Sequence, residues 1–242
     1  MNQFLILAFL FFIGSVTGWF LELFYRRFKR SNKEHKWVNP GFCTGPYVPL
    51  YGFGLCLLYL IAALEGVGRS EAFWQNKILL FILMAVVMTL IEYLAGILCV
   101  KVFKVRLWDY SQEWGNLQGI ICPKFSFYWT LLGALYYFAI HPYILGALDW
   151  LSRNLSFSFV IGLFFGVFLI DVVHSAQLIT KLKQFAEEND VIIRYEHLKS
   201  YIRGIQKSNA MKHWFFRPFS SGRPLNEHLK EMMESFEKRI KS

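Results

Sequence analysis

The sequence predicts an all-α protein, a polytopic transmembrane helical bundle of five spans with its N-terminus outside and its C-terminus cytoplasmic. Three observations predict it. Of the 242 residues, 55% are hydrophobic and 19% aromatic, with mean hydropathy +0.35, which is richer in apolar and aromatic side chains than soluble domains are. These residues fall into long continuous runs rather than periodic stripes. Lys and Arg alternate between dense and sparse in the loops that separate the runs.

The runs are Phe4–Phe24, Tyr47–Leu64, Ile78–Val100, Phe125–Leu145 and Phe157–Ile179. Each approaches or exceeds the roughly 20 residues that cross about 30 Å of hydrocarbon. The first has no basic leading region and no small-residue cleavage site, and Arg26, Arg27, Lys29 and Arg30 follow it, so it is expected to be retained rather than cleaved. Six Lys and Arg residues lie between Arg26 and Lys36, four between Lys101 and Lys124, and thirteen from Lys181 onward. The second loop holds only Arg69 and Lys77, and the fourth only Arg153. The positive-inside rule therefore sets the first loop, the third loop and the tail in the cytoplasm, and divides the chain into a membrane domain over 1–180 and a basic helical tail over 181–242.

The stretch from Asn39 to Gly54, N-P-G-F-C-T-G-P-Y-V-P-L-Y-G-F-G, cannot form a regular helix throughout, because its prolines lack donors and its glycines lose backbone entropy. Irregular backbone at a membrane boundary needs protein or water to satisfy its polar groups, so this stretch is expected to line a polar space. The marks Glu22, Asn39 and Pro46 recur as Glu92, Asn116 and Pro123, which is either a parallel internal repeat or a coincidence among ordinary loop residues. In the tail, Val191, Ile192, Tyr195, Leu198 and Ile202 have a helical period. That segment either lies on the anionic inner leaflet or forms a solvated helix pair, and Trp214, Phe215, Phe216 and Phe219 beside Lys212 and Arg217 favour contact with a membrane or partner.

Acids inside spans mark candidate sites. Glu92 precedes Lys101 by nine residues and Asp171 precedes Lys181 by ten, which buries both roughly 14 Å from the cytoplasmic helix ends. At that depth an acid faces a protein interior or a water-filled cavity. Asp171, His174 and Ser175 share a face at i, i+3 and i+4, and Gly14, Gly18 and Glu22 step by four along the first span. One polar cavity in the inner leaflet, shared by Glu92 and Asp171, is the economical arrangement, with buried packing pairs as the alternative. Gly162 and Gly166 form a G-x-x-x-G that predicts close helix packing. Asp109 and Tyr110, beside Trp108, either reach this space or anchor the third loop at the interface. His141-Pro142 is expected to stop the fourth helix.

The formal charge of +9 is accounted for by the loop asymmetry, and no nucleic-acid motif accompanies it, so no nucleic-acid partner is expected. The four cysteines have no C-x-x-C spacing and no His cluster beside them, so free thiols are expected, with no metal and no cofactor.

Four segments in combination, G-W-F-L-E-L-F-Y-R-R from Gly18, the Asn39–Gly54 stretch, L-W-D-Y-S from Leu107 with N-L-Q-G-I-I-C-P-K-F-S-F-Y-W from Asn116, and His141-Pro142, are similar to the bacterial family of ABC-transporter type IV permease-like membrane proteins, the CmpB-like proteins. The resemblance covers residues 14 to 180. It implies a multi-pass protein of the bacterial cell membrane that works with a separate ATPase subunit, since the chain has no G-x-x-x-x-G-K-[ST] phosphate loop. The site residues expected on the combined reading are Glu22, Arg26, Asn39, Pro46, Tyr51, Gly52, Glu92, Asp109, Tyr110, Asn116, Asp171 and His174. A permease-like protein that binds or moves a small solute or lipid fits these features best, alone or as a homo-oligomer in the lipid bilayer. A membrane enzyme using paired carboxylates on a lipid, or a non-catalytic assembly factor, are the alternatives.

Overall fold

The computed structural model describes residues 2–29, 32–66, 73–199 and 225–241. Residues 67–70, expected to be external, Ile202, and the Trp214, Phe215, Phe216 and Phe219 cluster with Lys212 and Arg217 lie outside the described residues.

Helix α1, Gln3–Phe28, opens with Asn2, whose side-chain oxygen accepts from the Phe4 amide at 3.0 Å, and ends with Arg26 and Arg27, cations that complement the negative end of the helix dipole. The chain then runs without regular structure until α2, Pro49–Ala62, continued by a 3-10 turn at Ala63–Gly66. Pro49 suits the first turn, where no amide donor is required, and the Val48 amide is taken up by the Ser15 carbonyl at 2.9 Å.

Among the described residues four helices are long and apolar enough to cross a membrane: Gln3–Phe28, Lys77–Val102, Pro123–Arg153 and Leu155–Glu188. The shorter apolar helix, Pro49–Glu65, reaches only about 25 Å at 1.5 Å per residue. Where the sequence reading expects a full second span, the structure has a short helix entered through the irregular stretch.

Helix α3, Phe73–Ile97, ends in a π turn at Leu98–Val102. Helix α4, Pro123–Leu135, passes through a second π turn, Tyr136–Ile140, into α5, His141–Arg153. The helix therefore does not stop at His141-Pro142. Pro142 cannot donate to the preceding turn, and a π turn absorbs that missing bond without ending the helix. Helix α6, Ser158–Glu188, extends past the expected domain boundary at residue 180.

The membrane core gathers around Leu10, Met84 and Leu151, all fully buried. The closest crossing is α1 on α2. A Cβ at Gly18 would stand 2.2 Å from Tyr51 Cβ, and one at Gly52 would stand 2.2 Å from Ser15 Oγ, so small residues alone permit this approach. Helix α6 touches α1 through Phe11–Phe165 and Phe12–Phe164 ring contacts. The rest of α6 is largely exposed, including Phe159 and Ile170. A Cβ on Gly162 or Gly166 would meet nothing within 4 Å, so the expected close packing of that G-x-x-x-G has no partner helix among the described residues.

A second apolar cluster lies at the C-terminal end of α6. Ile179, Leu182, Phe185 and Ala186 of α6 meet Val105, Ile193, Tyr195, Leu198, Leu229 and Met232. Here β1, Val105–Arg106, pairs in parallel with β2, Ile193–Arg194, followed by a helical turn over 195–199 and, further on, helix α7, Leu225–Lys241. The helical period expected across Val191 to Ile202 is interrupted because α6 ends at Asn189 and Asp190, the latter at φ 49°. The chain then extends for the strand pair. The described part of the tail thus packs as a small folded layer under the membrane helices.

The two helix pairs do not carry equivalent marks. Helix α4 begins at Pro123, whereas α2 begins at Pro49 and exposed Pro46 remains in the loop before it.

Candidate functional site

The polar groups on α1, α3 and α6 form two networks. The first is built on Glu22 and Glu92. Glu22 pairs with Arg26 one turn on, Oε1 to Nε at 2.9 Å, and the same guanidinium reaches Glu196 of the tail at 2.8 Å. Because Gly18 carries no side chain, Tyr51 can lie against α1 at that level, and its hydroxyl donates to Glu22 Oε2 at 3.3 Å.

Glu92 on α3 is 2% exposed. One helical turn further, Gly96 admits the third loop, since a Cβ there would come 2.2 Å from Ile120 Cγ2 and 3.2 Å from Trp108. The Trp108 indole donates to the Ile120 carbonyl at 2.8 Å, which closes the loop on itself. That closure brings the Tyr110 hydroxyl to Glu92 Oε1 at 3.0 Å, with the Tyr110 ring stacked on Phe125 at 4.2 Å and 7°. Burial, then the Glu92 and Glu22 carboxylates, push the Tyr110 phenol well above its ordinary value, so it remains a proton donor to Glu92. Oε2 of Glu92 has no hydrogen-bond partner. The Trp129 indole acts on this carboxylate from α4 without making a geometrically formed hydrogen bond to it.

Asp109 and Asn116 shape the loop that carries Tyr110. Asp109 accepts from the Ser111 amide at 3.0 Å and from its hydroxyl, and pairs with Arg106 at 3.1 Å and with Arg194 of β2 at 3.3 Å. Burial alone would raise its pKa, but the Ser111 hydrogen bonds and the Arg194 and Arg106 charges hold the carboxyl below its usual value. Asn116 donates to the Ser111 and Glu113 carbonyls and accepts from the Gly119 amide at 3.0 Å. Gly119, at φ +67°, leaves room for the Arg106 guanidinium, which a Cβ would approach to 2.2 Å.

The second network is the irregular stretch folded around Asp171 of α6. Its carboxylate accepts from the Thr44 amide at 2.9 Å, the Gly45 amide at 2.8 Å, the Tyr47 hydroxyl at 2.5 Å and the Ser175 hydroxyl at 3.2 Å. Asn39, 1% exposed, accepts from the Trp19 indole at 2.6 Å and donates to the Cys43 and Thr44 carbonyls. From the tail, Lys199 donates to the carbonyls of Asn39 at 2.8 Å and Gly41 at 3.2 Å. The stretch is thus held by α1, α6 and the tail together.

These networks correct the expectation of one space shared by Glu92 and Asp171. Asp171 is satisfied by the backbone of residues 44–45 and the side chains of Tyr47 and Ser175, while the acid near Glu92 is Glu22. His174 is exposed and takes no part around Asp171, because only the i+4 neighbour Ser175 turns inward. Gly52 serves the α1–α2 crossing, and Pro46 is an exposed loop residue. Trp19, Trp129, Glu196 and Lys199 escape the sequence reading. The tryptophans look like lipid-facing or interfacial rings in an apolar run, and Glu196 and Lys199 look like solvated charges in a basic tail. All four free cysteines lie outside both sets of contacts just described, apart from the Cys43 carbonyl.

A family model described as "Putative ABC-transporter type IV" matches residues 9–176, from the second turn of α1 to beyond Ser175 on α6. No curated protein and no solved structure matches the chain.

Proposed function

On the premise that this chain belongs to that family of ABC-transporter-related membrane proteins, we propose that it is a permease-like component of the bacterial cell membrane that binds a small solute or lipid in the inner half of its bundle. The site is the Glu22–Tyr51–Glu92–Tyr110 cluster. The observation that carries this reading is Glu92. It is a carboxylate 2% exposed on an apolar helix, with one oxygen lacking a hydrogen-bond partner and a second acid close by. A buried oxygen in that condition costs free energy unless something occupies the position beside it, and an acid kept at this depth on a membrane helix is by default functional.

In this reading the N-terminus is outside, the third loop and tail are cytoplasmic, and α2 completes a second crossing together with the irregular stretch before it. The folded cytoplasmic layer formed by β1, β2 and α7 is the surface on which a separate ATPase subunit would dock. A reporter fused after Ser242 is therefore expected to be cytoplasmic, and an external one would reverse the topology.

Native mass spectrometry of the full chain in mild detergent tests the site. A reproducible co-purifying solute or lipid is expected, present with the wild type and depleted in Glu22→Gln and Glu92→Gln. Equal retention by both variants would remove these residues from the site.

A further inference from the structure

We infer that the ligand of the Glu22–Glu92 site is an organic ammonium cation, with its charge against Glu92 Oε2 and its alkyl groups against the neighbouring aromatic rings. The inference rests on the solute-binding reading above and adds the chemical class.

Charge comes first. Glu22 is the acid near Glu92, and the guanidinium beside Glu22 is Arg26, which also pairs with Glu196. Arg26 makes its ion pairs with Glu22 and Glu196, not with Glu92. Glu92 has a phenol on one oxygen and no hydrogen bond on the other. An ionised carboxylate in such a setting is strongly disfavoured unless a positive group or a proton joins it.

The surroundings choose among the possible occupants. A buried water needs two to four polar partners, whereas the groups near this carboxylate are largely rings. Tyr51 faces Trp129 at 5.0 Å and Tyr110 stacks on Phe125 at 4.2 Å. A hard metal ion calls for about six oxygen ligands, and among the described residues no group of three His, Cys, Asp or Glu side chains is placed to hold one. Ring faces carry negative potential and attract weakly hydrated cations, and the combination of aromatic rings with a carboxylate is how substituted ammonium groups are recognised. Anions are excluded by the same two carboxylates.

The test uses the full chain in nanodiscs, with choline and tetramethylammonium as probes, 3,3-dimethyl-1-butanol as the uncharged isostere of choline, and acetate as the anion. Binding raises the melting temperature in a saturable way because the ligand stabilises the folded state alone. A saturable shift with the two ammonium probes is expected, with none from the isostere or acetate. Glu92→Gln should weaken the ammonium response at least about tenfold, as loss of a buried charge partner requires. Trp129→Leu keeps every charge and should weaken it by up to roughly thirtyfold, the size of one desolvated cation–ring contact. If the isostere or acetate binds and the ammonium probes do not, the solute site stands and its cationic character is refuted. If no probe binds, the cationic assignment is refuted and a proton is left as the partner of Glu92.

Discussion

Arg26 lies between carboxylates contributed by distant parts of the chain, 2.9 Å from Glu22 on its own helix and 2.8 Å from Glu196 in the tail. The guanidinium is planar and forked, and can serve both acids at once. One side chain therefore joins helix α1 to the folded tail.

Removing it takes the guanidinium away from both acids. Arg26→Ala is expected to lower stability by about 3 kcal/mol, at the low end of the cost of breaking a buried pair because the group is partly exposed. Glu196→Gln, which keeps a hydrogen-bonding oxygen, should cost only about 1 kcal/mol. Thermal unfolding in detergent measures both, and equal effects would show that Arg26 does not bridge the two acids.

The α1–α2 crossing makes a prediction about glycines that sequence alone does not distinguish. Gly18→Ala should destabilise by roughly 1–3 kcal/mol, because its methyl overlaps Tyr51 and forces that ring away from Glu22. Gly162→Ala and Gly166→Ala meet no atoms and should fall within about 0.5 kcal/mol of the wild type. Melting curves of the three variants decide it. A large loss at Gly166 would reveal a helix packed there from another chain.

Asp171 and Glu92 are held by different partners, so their substitutions should act independently. Asp171→Asn is expected to speed hydrogen exchange at the Thr44 and Gly45 amides by weakening their acceptor, and to leave the Tyr110–Glu92 contact in place. The stability losses of Asp171→Asn and Glu92→Gln should add to within about 0.5 kcal/mol in the double variant. Strong non-additivity would restore the single shared space that the sequence suggests.

The third loop should loosen in acid. Asp109 is held below its unfolded value of 3.8, so the folded state binds fewer protons than the unfolded one. Its contribution is fully present above the unfolded value and disappears as the pH falls through the folded one. Limited proteolysis of the 105–122 loop should therefore accelerate below about pH 4. Asp109→Asn should be cleaved faster at neutral pH and lose that component of the pH dependence.

Much of the fold is legible in the residues because membrane helices announce themselves by length and polarity. The apolar runs that begin at Phe4, Ile78, Phe125 and Phe157 all lie within candidate spans, and the family resemblance is borne out over residues 9–176. Helix termination at proline is less legible, since Pro49 starts a helix, Pro142 is absorbed by a π turn, and Pro46 lies in a loop. Of the residues expected at the site, Glu22 contacts Arg26 and Tyr51, and Glu92 contacts Tyr110. Their partners are harder to find. Periodicity predicts that His174 and Ser175 both flank Asp171, yet only a folded loop can decide which donors reach its carboxylate, and backbone amides of Thr44 and Gly45 leave no mark in a sequence. Glu196 and Lys199 are invisible for a related reason, because a tail that packs beneath the helices has the same composition as one dissolved in the cytoplasm.

The parallel pairing of Val105–Arg106 with Ile193–Arg194 sets an order on biosynthesis. A ribosome delivers residue 105 long before residue 193, and in the interval α4, α5 and α6 must all enter the membrane. Until then the third loop lacks its strand partner, Asp109 lacks Arg194, Arg26 lacks Glu196, and the Asn39 and Gly41 carbonyls lack Lys199. Long-range closures of this kind form late. The nascent protein therefore passes through the whole of membrane insertion with these contacts open, and only the last quarter of translation closes them.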